Sequence, residues 1–160
     1  MLFFKKKETV LLAPLSGRSA KLDEVPDPVF ADRILGDGAA ILPESGTAVS
    51  PADGTVTNVT ETFHAYGITT ADGLEVLIHI GIDTVKMKGE GFTPLVKEGD
   101  SVKAGDPLCK VDFAAVEAAG YKTWTPVIIS NSDEIKELTV TEGPAQAGKT
   151  AIIRYSKKKK

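Results

Sequence analysis

The sequence predicts an all-β fold, an antiparallel β-sandwich or flattened barrel with short helical turns, and two observations carry that prediction. Gly, Pro, Asn and Asp clusters recur roughly every eight to twelve residues from Val10 to Tyr155. Between them lie short runs rich in Val, Ile, Thr and Leu, too short for helices and suited to strands packed on one another.

In chain order, strands are expected at Thr9–Ala13 and Ser16–Lys21, separated by Pro14. The segment "DPVFADRIL" has helical composition: Asp27 can cap it, Pro28 stands at the favoured first helical position, and Gly36 closes the end. Strands follow at Ala39–Pro43, Gly46–Ser50 and Gly54–Val59, each bounded by turn residues. His64–Thr69 and Glu75–Ile80 form the arms of a hairpin, because Asp72-Gly73 in "TTADGLEV" can take the positive φ angles of a tight turn. Ser101–Val102 and Pro107–Val111 precede a second short helix, "DFAAVEAAG", and Thr125–Ile129, Glu137–Thr141 and Ala151–Tyr155 complete the strands. Both helices are expected over the ends of the sandwich.

At 160 residues and 42% hydrophobic, the chain is the size of one ordinary domain with a sizeable core. The expected division is a short basic leader at 1–8, a single domain at 9–156 and a lysine tail at 157–160. One cysteine, Cys109, cannot form an intramolecular disulfide, and no signal-peptide pattern opens the chain. No apolar run approaches the roughly 18 residues that span a bilayer. The expected location is the cytoplasm, with only indirect membrane association.

The formal net charge of -3 hides a split, since Lys5–Lys7 and Lys157–Lys160 supply seven of the nineteen basic residues and leave twelve against twenty-two acidic ones. An acidic body repels phosphate backbones, which argues against nucleic acid and for small molecules or basic protein partners. The lysine ends read as solvated and solubilising, with a weak touch of "MLFFKKK" on anionic lipid as the alternative.

Both histidines of the chain belong to the expected hairpin. A turn centred on Asp72-Gly73 makes paired residue numbers sum to about 145, placing His79 opposite Tyr66 and His64 opposite Gly81. The two imidazoles then sit diagonally side by side on one face, next to a glycine that leaves room. A lone histidine in an apolar strand is ordinarily a satisfied core residue. Two converging ones are costly filler, because four ring nitrogens need partners.

Two chemistries compete for such a pair. A zinc site needs three protein ligands, and His79, Asp83 and His64 could supply them, although Asp83 lies in the turn after the strand and no H-x-H supports it. A phosphoryl-accepting histidine needs a neutral nitrogen as nucleophile and a neighbouring donor for the transferred oxygens, which an imidazole N–H provides. The sequence has no phosphate loop, dinucleotide fingerprint or kinase motif, so a phosphoryl donor would be another protein.

The stretches "GDGAAILP", "SPADGTV", "ETFHAYGI", "EVLIHIGIDTVKMKGEGF", "VKEGDSVKAGDPL" and "TPVIISN" together resemble the glucose-type enzyme IIA of the bacterial phosphoenolpyruvate-dependent sugar phosphotransferase system, from about Leu12 to Arg154. The resemblance implies an antiparallel β-sandwich that accepts a phosphoryl group from the histidine-containing phosphocarrier protein and passes it to a cysteine on the IIB domain of a sugar permease, with no cofactor and no metal. His79 matches the phosphorylated residue, bonded through Nε2. His64 matches the second active-site histidine, and Thr62 the threonine that orients it. Asp27 and Asp83 match rim carboxylates, and Val29, Phe30, Ile34 and Leu35 match an apolar docking patch, although spacing alone reads those four as a helix face on the core. Pro28 and Phe63 depart from the family pattern. The resemblance also implies a regulatory alternative, in which the unphosphorylated protein inhibits other permeases or metabolic enzymes through the same face.

Two other families share parts of the pattern. "GDSVKAGDPL" occurs in biotinyl and lipoyl carriers, but there the phrase precedes the modified lysine, whereas here Lys88 precedes the phrase. Lysostaphin-type zinc endopeptidases use a similar phrase with an H-x-x-x-D and an H-x-H, which two histidines cannot build.

Overall fold

A computed structural model describes residues 9–159. The leader expected at 1–8, and Lys160 of the tail, lie outside the described residues. Fourteen strands are present: β1 (Thr9–Leu12), β2 (Gly17–Lys21), β3 (Asp37–Pro43), β4 (Thr47–Val49), β5 (Gly54–Val59), β6 (Ala65–Thr70), β7 (Glu75–His79), β8 (Phe92–Pro94), β9 (Ser101–Val102), β10 (Pro107–Val111), β11 (Thr125–Ile129), β12 (Ile135–Val140), β13 (Gly143–Ala145) and β14 (Ala151–Lys157). Among the described residues the α-helices are α1 (Pro28–Ala31) and α2 (Phe113–Ala118). The all-β expectation holds. Strands β8 and β13 were not expected, because three residues between Gly and Pro carry too little pattern to read.

An eight-stranded sheet in the order β13-β2-β3-β11-β7-β6-β5-β9 faces two three-stranded sheets, β1-β14-β12 and β4-β10-β8. The main core lies between them, where Ile41, Tyr66, Ile68, Ile78 and Ile129 of the large sheet meet Leu11, Leu108 and Ile153 of the smaller ones. Strand alternation sends the intervening residues Ala40, Leu77 and Ile128 to the other face, where Leu22, Val25, Phe30 and Ile82 cover them as a second core. Segment 22–35 therefore lies on the outer face of the large sheet, which corrects its expected place over the sandwich end.

The first helix is also shorter than "DPVFADRIL". Asp27 caps it as expected, its carboxylate accepting from the Val29 amide at 2.9 Å. The helix stops at Ala31, because Arg33 enters the left-handed region (φ 58°) and its amide donates to the Phe30 carbonyl while the Ile34 amide donates to the Val29 carbonyl. Carboxylates of Asp23 and Asp37 hold the Arg33 guanidinium at 2.9 and 3.0 Å. Helix α2 is capped by Asp112, which accepts from the Ala115 amide.

Strand β14 runs through Lys157, so the first lysine of the expected tail belongs to a sheet, and its ammonium donates to the carbonyl of Asp72. Among the described residues, no helix is long and apolar enough to cross a membrane.

Candidate functional site

The β6–β7 hairpin has a three-residue loop. Thr70 and Leu74 close it, with the Thr70 amide donating to the Leu74 carbonyl at 2.8 Å, and Gly73 supplies the left-handed residue (φ 92°). Paired numbers consequently sum to 144, so His79 faces Ala65, and Tyr66 faces Ile78. This corrects the expected register by one residue. A one-residue shift exchanges the faces of a strand, so a continued pleat would send His64 and His79 to opposite sides of the sheet.

The rings meet because the pleat ends where they stand. Phe63 takes a left-handed conformation (φ 60°) just before His64, and Gly81 does so (φ 78°) just after Ile80. The Ile80 amide donates to the His64 carbonyl at 2.7 Å, the last tie between the two strands. Beyond it the imidazoles pack edge to face, with ring centroids 4.9 Å apart at 78°.

His79 lies on the outer face with Leu77, and Phe30 of α1 packs on it, with centroids 5.0 Å apart. The Nδ1–H of His79 donates to the Gly81 carbonyl at 2.7 Å. A carbonyl can only accept, so Nδ1 carries the proton, and the lone pair of the neutral ring is on Nε2. Gly81 is required at this turn: a Cβ there would fall 2.4 Å from Cγ2 of Thr84 and 3.2 Å from the Lys122 carbonyl. Thr84 is itself fixed, its buried hydroxyl donating to the Ile80 carbonyl at 2.6 Å.

His64 is buried. Its Nδ1 lies 2.6 Å from the hydroxyl of Thr62 and 3.3 Å from that of Thr60. Burial, with the nearby His79 second, pushes the His64 pKa down to about 4. The His79 pKa is also lowered, chiefly by burial, against the opposing pull of the Gly81 carbonyl and the carboxylates of Asp27 and Asp83. Both rings are therefore neutral near pH 7.

His79, His64, Thr62 and Phe30 come together in one cluster. Phe30 is buried against the His79 ring, so it supports the site from below and does not belong to a solvent-exposed patch. Val29, Ile34 and Leu35 are exposed, Ile34 at 67%, and Val85 joins them as an exposed apolar residue two positions after Asp83. Asp83 is exposed with a left-handed backbone (φ 61°). Among the described residues, no three His, Cys, Asp or Glu side chains gather as a metal site. Sequence reasoning did not single out Thr60 or Thr84. The only available signal for Thr60 was a second hydroxyl residue four positions before His64.

A family model for the phosphoenolpyruvate-dependent sugar phosphotransferase system, EIIA 1, matches residues 9–135. The chain belongs to this family. A glucose-specific EIIA component of Bacillus cereus is 44% identical over 155 residues, covering 96% of this chain and 94% of that one. A β-glucoside-specific EIIBCA component of Bacillus subtilis is 45% identical over 147 residues, which make up 92% of this chain and 24% of that longer one. Among solved structures, the glucose permease IIA from Mycoplasma capricolum superposes with a TM-score of 0.88 at 39% identity, covering 95% of this chain and 99% of that one. The family resemblance read from the sequence is thereby shown, and the chain is an EIIA-type component of the phosphotransferase system.

Proposed function

We propose that this chain is a phosphocarrier for sugar uptake, accepting a phosphoryl group on Nε2 of His79 from the histidine-containing phosphocarrier protein and passing it to a cysteine on the IIB domain of a sugar permease. The observation that supports this most directly is the Gly81 carbonyl on His79 Nδ1, which leaves Nε2 as the nucleophile beside a second imidazole.

In the first step the Nε2 lone pair attacks phosphorus, the Nε2–P bond forms, and the donor's N–P bond breaks with its electron pair returning to the donor nitrogen. The imidazole then bears a positive charge shared with Nδ1–H, which the Gly81 carbonyl stabilises. His64 donates to the phosphoryl oxygens. In the second step a cysteine thiolate attacks phosphorus and the Nε2–P bond breaks, restoring neutral His79. No metal or cofactor takes part in either step.

Rim carboxylates Asp27 and Asp83 suit a basic donor surface, giving steering and register more than affinity. Val29, Ile34, Leu35 and Val85 are exposed apolar residues on the segments that carry Asp27 and Asp83, and they suit docking that tolerates partners of different shape. The same residues support a regulatory role as a second reading, with the unphosphorylated protein docking on other permeases or metabolic enzymes. The relatives' names include both glucose and β-glucoside systems, as expected if the permease selects the sugar.

Intact mass after incubation with phosphoenolpyruvate, enzyme I and the phosphocarrier protein tests the reading. One acid-labile phosphoryl group is expected on the wild type and none on His79→Gln. Retained labelling of the variant would reject His79 as the acceptor.

A further inference from the structure

We propose that Thr60 is a positioning residue for His64, its hydroxyl tying residues 60–65 together so that the Thr62 hydroxyl holds the imidazole as the tautomer with its proton on Nε2. This rests on the phosphocarrier reading, in which His64 must present an N–H to the transferred oxygens.

Thr60 closes the loop that carries His64. Its amide donates to the Ala65 carbonyl at 3.1 Å, and its Oγ1 accepts from the Ala65 amide, also at 3.1 Å. The side chain therefore spans residues 60–65 and supplies the acceptor that the buried Ala65 N–H requires. It also fixes the backbone on either side of Phe63, whose left-handed conformation re-aims His64.

With one lone pair of Oγ1 occupied, the Thr60 hydroxyl hydrogen has two acceptors in reach, His64 Nδ1 at 3.3 Å and the Ala65 carbonyl at 3.4 Å. The Thr62 hydroxyl, at 2.6 Å, has His64 Nδ1 as its one acceptor among the described residues. Two hydroxyl hydrogens thus converge on a region whose acceptors are Nδ1 and one carbonyl. Both are satisfied when Nδ1 is unprotonated. Were Nδ1 to carry the proton, it would donate to the Thr62 oxygen, and the Thr62 hydrogen would lose its one acceptor among the described residues. Neutral His64 is thereby held with Nε2–H free for the site, while His79 is held in the opposite tautomer by Gly81. The two neighbouring rings therefore take complementary roles, one presenting a lone pair and the other a donor.

The test is nitrogen-15 NMR of the two imidazoles at neutral pH in the unphosphorylated wild type, Thr60→Val, Thr60→Ala and Thr60→Ser. Valine keeps the branched shape and removes the hydroxyl. Alanine opens space for water to reach the Ala65 amide and carries the test if valine does not fold. In the wild type, His64 should show an unprotonated Nδ1 and a protonated Nε2. In Thr60→Val or Thr60→Ala these signals should move toward a mixture, with His79 unchanged and phosphoryl transfer to the IIB cysteine slowed about tenfold, the loss expected of one positioning hydrogen bond. Thr60→Ser should restore both. Wild-type His64 shifts in Thr60→Val or Thr60→Ala would overturn the proposal. The NMR readout uses unphosphorylated protein, so it stands or falls independently of whether His79 is the acceptor, which the mass measurement decides.

Discussion

His79 Nδ1 donates to the carbonyl of Gly81, two residues further along the chain, at 2.7 Å, so the turn that ends β7 also sets which nitrogen of its last residue carries the lone pair. Backbone geometry and tautomer are coupled at this point. The coupling needs a residue without a side chain, since the carbonyl reaches back only with Gly81 in the left-handed region.

Gly81→Ala is therefore expected to damage fold and chemistry together. The added methyl meets Thr84 Cγ2 at 2.4 Å, and Thr84 is locked by its bond to Ile80. We expect a loss of about 2 kcal/mol or more in urea denaturation, from clash plus positive-φ strain. Phosphoryl acceptance should fall even at temperatures where the variant stays folded. A variant of wild-type stability with wild-type acceptance would show that the carbonyl can be placed without glycine.

His64→Gln should separate the two transfer steps. In the proposed mechanism acceptance rests on the His79 lone pair and should survive, whereas onward transfer should slow by about a hundredfold or more, as when a preorganised donor to a developing charge is removed. Rapid-quench measurement of each step with a purified IIB domain reads this. Normal onward transfer in the variant would remove His64 from the mechanism.

Burial of neutral imidazole makes stability depend on pH. The His64 pKa falls from an ordinary 6.5 to about 4, so between those values the unfolded chain binds a proton that the folded chain does not. Stability therefore rises with pH across this window, is fully present above about pH 6.5, and is lost as pH falls toward 4, by roughly 3 kcal/mol in all. His79 shifts in the same direction and adds to the slope. Denaturant midpoints at about pH 7.5 and about pH 4.5 should show this loss, and His64→Gln should flatten most of it. Equal slopes in wild type and variant would place the pH dependence elsewhere.

The strand pattern was legible from spacing because each face of β3, β7 and β11 is buried by a different layer, which leaves near-continuous apolar runs such as "EVLIHI". The hairpin around Asp72 was legible too, but its register was not, since Asp72-Gly73 serves a two-residue turn and a three-residue loop equally well. Loop closure by the Thr70 side chain, which accepts from the Leu74 amide at 2.9 Å, decides for the longer one. The histidine pair survived that error because Phe63 and Gly81 break the pleat on either side. Spacing placed Phe30 on the core correctly but put Val29, Ile34 and Leu35 there too, because helix α1 is too short for periodicity to separate its inner residue from its neighbours.

Ile34→Asp isolates the docking face from the chemistry. Ile34 is 67% exposed and follows Arg33, whose guanidinium is tied to Asp23 and Asp37, so its loop is held in place without help from its own side chain. Folding stability should change by no more than about 0.5 kcal/mol, as for an exposed side chain whose backbone alone takes part in the helix end. If the exposed apolar residues beside the site receive both partners, the charge should raise the KM for the phosphocarrier protein and for IIB by about tenfold each, with little change in kcat once complexes form. A shift in KM for one partner alone would mean that the two dock on different parts of this surface. Unchanged KM for both would move the docking face away from segment 28–35, leaving Val85 and the rim carboxylates as its centre.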